Sequence, residues 1–438
     1  MDLTIKNIGK RKIPSPLTSI FSDLISPFIS DTEKILYNVS ITNNKQTKTK
    51  DLRHSFEKAG PREKLFFDPS KVSAAIITCG GLCPGLNDVI RAIIMESFYM
   101  YNSYNIIGIR YGYNGLNPKF KYEPIKLNPE VVKNIHKFGG TILGSSRGGT
   151  EDMEMLVDTL EQLNINILYT IGGDGTLKGA HEIAKLVTKR KLKLSVIGVP
   201  KTIDNDLSYV QRSFGFETAF SKAVDSIYAA HIEAEGAPNG IGLVKLMGRH
   251  SGFIATSAAL AMNDVNFVLI PEIPFEMYGK NGLLINLEKR ILEKGHAVIC
   301  AAEGAGQDIL IKDPISQEKD PSGNVKLADI GLYLQKHIKK FFNEKNLPIN
   351  LKYIDPSYII RSAPANPNDS IFCTLLGQFA VHAGMAGKTD MIIGQWNNIF
   401  THIPIENATS KRNQINPNSM FWKNILAATG QPANMTNK

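Results

Sequence analysis

From Val72 onward, short apolar runs rich in β-branched residues alternate with stretches in which apolar residues recur at helical spacing, as between Phe216 and Ala230. The short runs lack the polar–apolar alternation of a half-buried strand, which indicates strands buried on both faces of a parallel sheet. The predicted strands are AAIIT (74–78), IIGI (106–109), ILYTI (167–171), SVIGV (195–199), IGLVK (241–245), NFVLI (266–270) and AVICA (297–301). Strand–helix alternation of this kind predicts an α/β fold with doubly wound, Rossmann-like and mainly parallel sheets.

The chain has 438 residues, which favours two such domains over one. Residues 1–70 are rich in Lys, Asn, Ser and Thr, and NNKQTKTK at 43–50 predicts a loop within an N-terminal extension. The expected boundaries are an extension over 1–70, a first α/β domain over 71–214 completed by 372–400, a second over 215–371, and a tail over 401–438.

The composition and the distribution of charge argue against a nucleic-acid-binding protein and a membrane protein. The net charge is +9, but residues 1–64 hold an excess of five positive charges and residues 407–438 an excess of four, so the middle of the chain is neutral. A nucleic-acid binder concentrates its basic residues on the working domain, so we expect no nucleic-acid partner. No apolar run approaches the roughly 18 residues of a membrane helix, and no secretion signal opens the chain. We therefore expect a cytoplasmic protein.

In open α/β sheets, ligands bind beyond the carboxyl ends of the strands, so the loops that follow the strands carry the candidate chemistry. The first predicted strand leads into a glycine-rich loop, CGGLCPGLN at 79–87, with a helix beginning near Asp88. Such a loop either admits a phosphate or forms a tight turn with no ligand. Cys79 and Cys83 lack a second Cys or His pair, so we interpret them as packed thiols rather than metal ligands.

The strand at 167–171 ends in Gly172-Gly173-Asp174-Gly175-Thr176, and a helical stretch follows from Leu177. The glycines leave space for a polyphosphate, and the Asp174 carboxylate is a suitable Mg²⁺ ligand. The alternative role for Asp174 is to cap the helix.

The next strand leads into PKTIDND at 200–206, in which Lys201 precedes the carboxylates of Asp204 and Asp206. A surface turn would use Asp and Asn in the same way. Phosphoryl transfer needs an acceptor for a hydroxyl proton, a metal ion and cations near the developing charge, and this loop with its neighbours could supply them. Arg249, Glu303 and Arg361 follow further along, and the two arginines could bind a phosphate through paired hydrogen bonds.

In this order, the loop motifs resemble those of the 6-phosphofructokinases over about residues 70–400. The motifs are GGLCPGLN, GSSRGG, GGDGT, PKTIDND, MGRHSG, the glutamate of AEG, and YIIR. GGDG alone is shared with NAD kinases and diacylglycerol kinases, whereas TIDND followed by MGR is more specific. The chain contains neither a Walker sequence nor the HRD and DFG motifs of protein kinases.

The resemblance implies phosphorylation of D-fructose 6-phosphate at its 1-hydroxyl by Mg-ATP, in a cleft between a nucleotide-binding domain (71–214) and a sugar-phosphate-binding domain (215–371). It implies Asp204 as general base, Arg249 as a second catalytic residue and Asp174 as the Mg²⁺ ligand. The implied nucleotide contacts are Gly81, Arg147, Gly148, Gly173, Asp174, Gly175 and Thr176. The implied sugar-phosphate contacts are Thr202, Ile203, Asp204, Met247, Gly248, Arg249, Glu303, Tyr358 and Arg361.

Two residues bear on the phosphoryl donor. In the family that the chain resembles, a glycine at the position of Gly175 goes with ATP, since a side chain there would occupy the space of the α-phosphate. A lysine at the position of Lys201 goes with pyrophosphate. The combination is similar to a long-chain branch of the family that uses ATP despite this lysine, so we expect ATP.

The chain departs from the short bacterial enzymes at two places. An arginine that a neighbouring subunit supplies is replaced by Gly240, and SAPANPND follows Arg361 where a phosphate-binding pair is expected. The resemblance further implies a homo-oligomer, a dimer or tetramer, with allosteric control. A pyrophosphate-dependent enzyme and a catalytically silent regulatory paralogue are the alternatives, and the intact Asp174, Asp204, Asp206 and Arg249 argue against the silent one.

Overall fold

The computed structural model describes residues 2–23, 26–40, 54–310 and 326–437, so the predicted loop at 43–50 lies outside the described residues. The chain divides into two compact units. The first unit comprises Met1–Ile203, Leu207–Gly215 and Ser362–Lys411. The second unit comprises Asp204–Asp206, Phe216–Arg361 and Arg412–Lys438.

The described residues form strands and helices that we number in chain order. The strands are β1 (Lys6–Asn7), β2 (Ile13–Pro14), β3 (Lys34–Leu36), β4 (Ser55–Lys58), β5 (Lys64–Leu65), β6 (Ser73–Thr78), β7 (Asn105–Ile109), β8 (Ile125–Lys126), β9 (Ile167–Gly172), β10 (Ser195–Pro200), β11 (Gly240–Leu246), β12 (Phe267–Leu269), β13 (His296–Ala302), β14 (Asn350–Ile354), β15 (Lys388–Thr389), β16 (Met391–Trp396) and β17 (Ile399–Pro404). The α-helices are α1 (Leu17–Ile20), α2 (Leu86–Tyr101), α3 (Pro129–Val132), α4 (Met153–Gln162), α5 (Asp174–Lys189), α6 (Phe216–Glu235), α7 (Phe253–Met262), α8 (Leu283–Lys294), α9 (Gln307–Leu310), α10 (Ile330–Glu344), α11 (Ser357–Arg361), α12 (Pro367–Met385), α13 (Ile405–Ala408) and α14 (Met420–Thr429).

The first unit is built on a nine-stranded sheet in the order β3-β4-β17-β16-β10-β9-β6-β7-β8. The five strands β16, β10, β9, β6 and β7 are parallel, and antiparallel strands extend the sheet at both edges. This arrangement confirms the predicted α/β fold with a mainly parallel sheet.

Alternate residues of the central strands enter two different cores, one on each face of this sheet. On β6, Ala74 and Ile76 join one core, whereas Ala75 and Ile77 join the other. Helices α2 and α12 contribute to the first core, and α4 and α5 contribute to the second. Burial on both faces explains why these strands are continuous apolar runs in the sequence.

The second unit is built on a four-stranded parallel sheet in the order β12-β13-β11-β14. Helices α8 and α10 bury their apolar faces against it, through Leu287 and Ile291 on α8 and Leu334 and Ile338 on α10. Each of the seven apolar runs in the sequence contains or overlaps a strand of one of the two sheets.

The two ends of the chain are placed differently from the sequence-based expectation. Within the expected extension over 1–70, β3 and β4 are strands of the nine-stranded sheet, because β4 pairs with β17 and β3 pairs with β4. Within the expected tail over 401–438, β17 completes that sheet and Arg412–Lys438 is part of the second unit. Apolar residues of α14 are buried there, including Trp422 and Ile425.

Helices α2 and α5 begin earlier than the sequence indicates, at Leu86 and Asp174 rather than near Asp88 and Leu177. The residue that precedes each helix is a glycine, Gly85 or Gly173, so the loop turns directly into the helix. Across the described residues, none of the helices combines the length and the apolar character needed to cross a membrane.

Candidate active site

In the first unit, the loops after three adjacent strands lie side by side at the carboxyl edge of the sheet. Strand β9 lies between β6 and β10, with Thr78 opposite Ile171 and Pro200 opposite Gly172. The glycine-rich loop after β6, the GGDGT loop after β9 and the PKTIDND loop after β10 are therefore neighbours. This is the edge at which open α/β sheets bind ligands.

Lys201 connects two of these loops. Its ammonium group donates a hydrogen bond to the Gly81 carbonyl oxygen at 2.8 Å, and its own backbone N–H donates to the Gly172 carbonyl at 2.9 Å. The side chain is buried. Gly80 lies beside the Lys201 ammonium group, and its φ of +87° favours glycine at this position. The lysine places a positive charge among the backbone groups of the glycine-rich loop.

Asp174 is the first residue of α5, and its carboxylate accepts a hydrogen bond from the Lys178 ammonium at 3.0 Å. The side chain is about one-fifth exposed. A carboxylate at this place can bind a hard divalent cation, which prefers oxygen ligands. A Cβ added to the next residue, Gly175, would meet no atom of the described residues within 4 Å beyond its own helix backbone, so open space lies beside the start of the helix.

Arg147 and Gly148 lie close to the glycine-rich loop. Ser146 forms a bridge with Cys79, and its carbonyl oxygen accepts a hydrogen bond from Gly80 at 2.8 Å. A Cβ added to Gly81 would lie 3.8 Å from a terminal nitrogen of Arg147. Gly148 has a φ of +73°, which favours glycine. The structure therefore brings Gly81, Arg147 and Gly148 together.

Thr202 and Ile203 end this part of the first unit. The Thr202 carbonyl accepts a hydrogen bond from the Ser213 hydroxyl, and Ile203 packs against the core beside α2 and α12. The following residue, Asp204, belongs to the second unit, so the chain passes from one unit to the other within the PKTIDND motif.

In the second unit, Asp204 lies beside the loop that follows β11. Its carboxylate accepts a hydrogen bond from the Arg249 backbone N–H at 3.3 Å, and its carbonyl accepts one from the Ser251 hydroxyl at 2.9 Å. Burial, together with the negative charges of Asp206 and Glu303, raises the pKa of Asp204 to about 7. A carboxylate with a pKa near neutrality is matched to taking up a proton at physiological pH.

Asp206 is held by a residue that the sequence analysis missed. Its carboxylate forms an ion pair with Arg412, and its backbone carbonyl accepts a hydrogen bond from Asn413 at 2.8 Å. Arg412 lies in the segment expected to be a tail, about 200 residues away in sequence and outside every motif. Only its location in the second unit reveals this role.

The MGR loop and Glu303 follow two neighbouring parallel strands, β11 and β13. Gly248 has a φ of +131°, and its carbonyl accepts a hydrogen bond from Gly304 at 3.0 Å. A Cβ added to Gly304 would lie 2.0 Å from the Arg249 carbonyl, so this contact requires glycine. Burial raises the pKa of Glu303, although the charge of Arg249 opposes the shift. Met247 is buried beneath these groups.

Tyr358 and Arg361 lie on α11, which follows β14 at the same edge of the second sheet. The Arg361 guanidinium lies over the Tyr358 ring at 4.4 Å from its centroid, and the ring is 73% exposed. The structure thus gathers Asp204, the MGR loop, Glu303 and the α11 pair in the second unit.

Cys79, Cys83, Cys300 and Cys373 are all buried. Burial raises the pKa of Cys79 and of Cys300 to about 12, so both remain protonated thiols at neutral pH.

A sequence model of the family described as Phosphofructokinase matches residues 73–384, which is more than half of the chain. The chain therefore belongs to the phosphofructokinase family, as the order of its motifs predicts. It is 52% identical to the ATP-dependent 6-phosphofructokinase of Borreliella burgdorferi, over 100% of this chain and 98% of that protein. It is 44% identical to the ATP-dependent 6-phosphofructokinase of Amycolatopsis methanolica, over 99% of this chain and 95% of that protein.

The fold is also similar to that of solved structures. The pyrophosphate-dependent phosphofructokinase from Marinobacter aquaeolei matches with a TM-score of 0.65 and 20% sequence identity, covering 79% of this chain and 86% of that chain. At this identity the likeness establishes the shared fold.

Proposed function

We propose that this protein is an ATP-dependent 6-phosphofructokinase, which transfers the γ-phosphoryl group of ATP to the 1-hydroxyl of D-fructose 6-phosphate. The products are fructose 1,6-bisphosphate and ADP, and the reaction belongs to glycolysis. The observation that carries this proposal is identity of 52% and 44%, over nearly the full length, to two proteins that bear this name. The loops described above supply groups of the required chemistry.

Asp204 is proposed as the general base. The hydroxyl proton of the sugar passes to the Asp204 carboxylate while the hydroxyl oxygen bonds to the γ-phosphorus, and the bond from that phosphorus to the ADP oxygen breaks. The pKa near 7 supports this role, because about half of the carboxylate is ionised at neutral pH and it is basic enough to accept the proton. The hydrogen bond from the Arg249 backbone N–H fixes one carboxylate oxygen.

Arg249 is proposed as the second catalytic residue. Phosphoryl transfer spreads negative charge over the equatorial oxygens of the transferring group, and a guanidinium can stabilise that charge. Its position beside Asp204 and the short turn at Gly248 support the assignment. Asp206, which the Arg412 ion pair holds, acts as a positioning residue for the loop.

The nucleotide contacts are assigned to the first unit. The assigned residues are Gly81, Arg147, Gly148, Gly173, Asp174, Gly175 and Thr176. The partly exposed carboxylate of Asp174 fits a Mg²⁺ ion, which when bound neutralises charge on the donor phosphates. The start of α5 adds favourable backbone N–H groups for an anion.

The sugar-phosphate contacts are assigned to residues at the carboxyl ends of β10, β11, β13 and β14. The assigned residues are Thr202, Ile203, Asp204, Met247, Gly248, Arg249, Glu303, Tyr358 and Arg361. The partly buried Arg361 guanidinium beside the exposed Tyr358 ring is suited to a phosphate, and the Glu303 carboxylate is suited to accept hydrogen bonds from sugar hydroxyls.

Pyrophosphate is the second candidate donor, and Lys201 is the observation that favours it. The lysine carries a buried positive charge beside Gly80 and Gly81, where either donor could be bound. The open space beside Gly175 favours ATP, because the α-phosphate and the nucleoside need room that pyrophosphate does not.

A coupled assay with fructose 6-phosphate, offered ATP and pyrophosphate separately, tests the function and the donor together. We expect turnover with ATP, and turnover with pyrophosphate alone would overturn the donor assignment. No turnover with either donor would favour the silent paralogue.

Gly175→Asp extends this test, with Gly175→Ala as the matched control. Because a Cβ at this position meets no atom of the chain, both variants should fold normally. The aspartate adds bulk and negative charge where the α-phosphate is expected, so kcat/KM for ATP should fall by at least about tenfold, with a smaller effect from alanine. Unchanged ATP activity in Gly175→Asp would contradict the steric argument.

We further propose a homo-oligomer, a dimer or tetramer, that acts in the cytoplasm under allosteric control. The family resemblance supports the assembly and the regulation, and the four free, buried cysteines support a reducing compartment.

A further inference from the structure

Two histidines and a glutamate form a compact group in the second unit, away from the residues discussed above. His231 and Glu235 lie on α6, four residues apart and so on one face of the helix, and His296 is the first residue of β13. One potential ligand atom from each side chain lies within 4.8 Å of the other two. Within the part of the chain that the structure describes, this is the one group of three or more such side chains with this geometry.

The distances suit a single metal ion. Nε2 of His231 lies 3.5 Å from one Glu235 oxygen, and Nε2 of His296 lies 3.9 Å from the other. Zinc binds imidazole nitrogen at about 2.0–2.1 Å in tetrahedral sites, which places neighbouring ligand atoms roughly 3.4 Å apart. The three ligand atoms, now within 4.8 Å of one another, would have to approach to about that distance, so binding requires small rotations of the side chains.

The burial of the group also suits a metal ion. The His231 and His296 side chains are 15% and 21% exposed, whereas Glu235 is 52% exposed and leaves one side open to solvent. The two rings approach with centroids 5.6 Å apart. Two imidazoles and one carboxylate form a donor set that zinc prefers and magnesium does not.

We propose that His231, Glu235 and His296 bind one Zn²⁺ ion per chain, with the fourth coordination position open to water. The ion connects the end of α6 to the beginning of β13 and stabilises the folded second unit. This site is independent of the proposed phosphoryl transfer. His296 lies at the opposite end of β13 from Glu303, about 23 Å away along the strand at about 3.3 Å per residue.

The two nearby basic side chains bind other acceptors and not the three proposed ligands. Arg290 donates a hydrogen bond to the His296 backbone carbonyl at 3.3 Å rather than to its ring, and Lys352 lies 3.8 Å from Glu233, a different acid of α6. The sequence analysis missed the site because the third ligand lies about 60 residues beyond the helical pair, and only the fold brings it near.

The test is a titration of full-length protein, freed of metal by dialysis against a chelator, with ZnCl₂ in a calorimeter. Co²⁺ provides a second probe, because its visible absorption intensifies in tetrahedral sites with nitrogen ligands. We expect one Zn²⁺ per chain, a matching cobalt spectrum and a higher Tm with zinc. Wild-type protein that binds no zinc at one equivalent, with no change in Tm, would overturn the proposal.

The ligand variants are His231→Gln, Glu235→Gln and His296→Gln, with Glu233→Gln as the control on the same helix. Loss of a second-shell partner typically lowers metal affinity by about 10–100-fold, so loss of a direct ligand should lower it by at least that much. Glu233→Gln should bind zinc as the wild type does. Retention of wild-type affinity in all three ligand variants would place the ion elsewhere and overturn the assignment. Glu235→Gln leaves both rings in place, so it tests the site even if a histidine variant folds poorly.

Discussion

Burial and the negative charges of Asp206 and Glu303 raise the pKa of Asp204 to about 7, whereas an aspartate in an unfolded chain titrates near pH 3.9. Between these two pH values the folded state binds more protons than the unfolded state, so this residue lowers folding stability as the pH rises. The environment that makes Asp204 a suitable base thus opposes folding at neutral pH.

Asp204→Asn should therefore separate catalysis from stability. We expect kcat to fall by about 10²–10⁴-fold, with little change in KM for fructose 6-phosphate, because the amide cannot accept the proton. We expect the free energy of unfolding at pH 8 to rise by about 1–3 kcal/mol, since one pKa unit corresponds to about 1.4 kcal/mol. Steady-state kinetics and thermal unfolding of the same samples measure both.

The exposed Asp225→Asn on α6 is the control for this variant, and it should change neither quantity. A loss of kcat below tenfold in Asp204→Asn would contradict the role of Asp204 as general base.

The pH profile should report the same group. Because Asp204 must be ionised to accept a proton, kcat/KM should be constant above pH 7 and should fall about tenfold per pH unit below it. Glu303→Gln removes one of the charges that raise this pKa, so the acid limb should move to lower pH even if the maximum rate is lower. The substrate titrates identically with both enzymes, so the shift in the limb isolates the effect. An unmoved limb would show that the titrating group is not Asp204.

At the scale of the element, the strands that are buried on both faces of a sheet could be predicted from the sequence. Strands β6, β9 and β10 are continuous apolar runs because each sends alternate residues into separate cores. The sequence did not predict the edge strand β3 or its neighbour β4, because both are short and β4 joins the sheet through β17, which is distant in sequence.

The candidate site likewise contains some residues that the sequence predicts and one that it does not. Its loops could be predicted, because Gly and Asp residues directly after an apolar strand can be recognised in the sequence. Arg412 was not, because a single arginine outside any motif carries no signal until the fold places it beside Asp206.

The start of α2 offers a test at this scale. Gly85 precedes the helix with a φ of +99°, and a Cβ there would lie 2.5 Å from the Cys373 sulfur. Gly430 ends α14 with a φ of +67°, and a Cβ there would meet no atom within 4 Å. Gly430→Ala should cost about 1–2 kcal/mol from backbone strain, whereas Gly85→Ala should cost about 1–3 kcal/mol more from overpacking.

Denaturant unfolding of both variants measures this difference. The double variant Gly85→Ala/Cys373→Ala should recover part of the loss, because it removes the sulfur that the new methyl group meets. Equal destabilisation by the two single variants would mean that strain alone, and not the contact with Cys373, requires glycine at position 85.

At the scale of the whole molecule, a buried network of charges ties the N-terminal residues to the later part of the first unit. The fully buried Lys388 ammonium lies 3.0 Å from Asp31 and 2.8 Å from Glu57. Arg62 contacts the same two carboxylates, and His402 lies 2.9 Å from Glu57. Burial alone would raise the pKa of Glu57, but hydrogen bonds and charges from His402 and Lys388 lower it to about 2.

Lys388→Met leaves the buried Glu57 and the partly exposed Asp31 with fewer positive partners, and breaking a buried ion pair such as that with Glu57 costs about 3–5 kcal/mol. A carboxylate whose pKa is lowered by folding stabilises the protein above its unfolded pKa, near 4, and this stabilisation is lost as the pH falls towards 2. The wild type should therefore lose stability steeply between pH 4 and 2, and Lys388→Met should lose less over that range because part of the contribution is already gone. Denaturant midpoints at pH 7.5, 4 and 3 measure both effects.

Lys185→Met, which breaks an exposed pair with Glu182, is the control and should leave the midpoints unchanged. If Lys388→Met matched this control at pH 7.5, the network would not be what holds the N-terminal residues to the sheet.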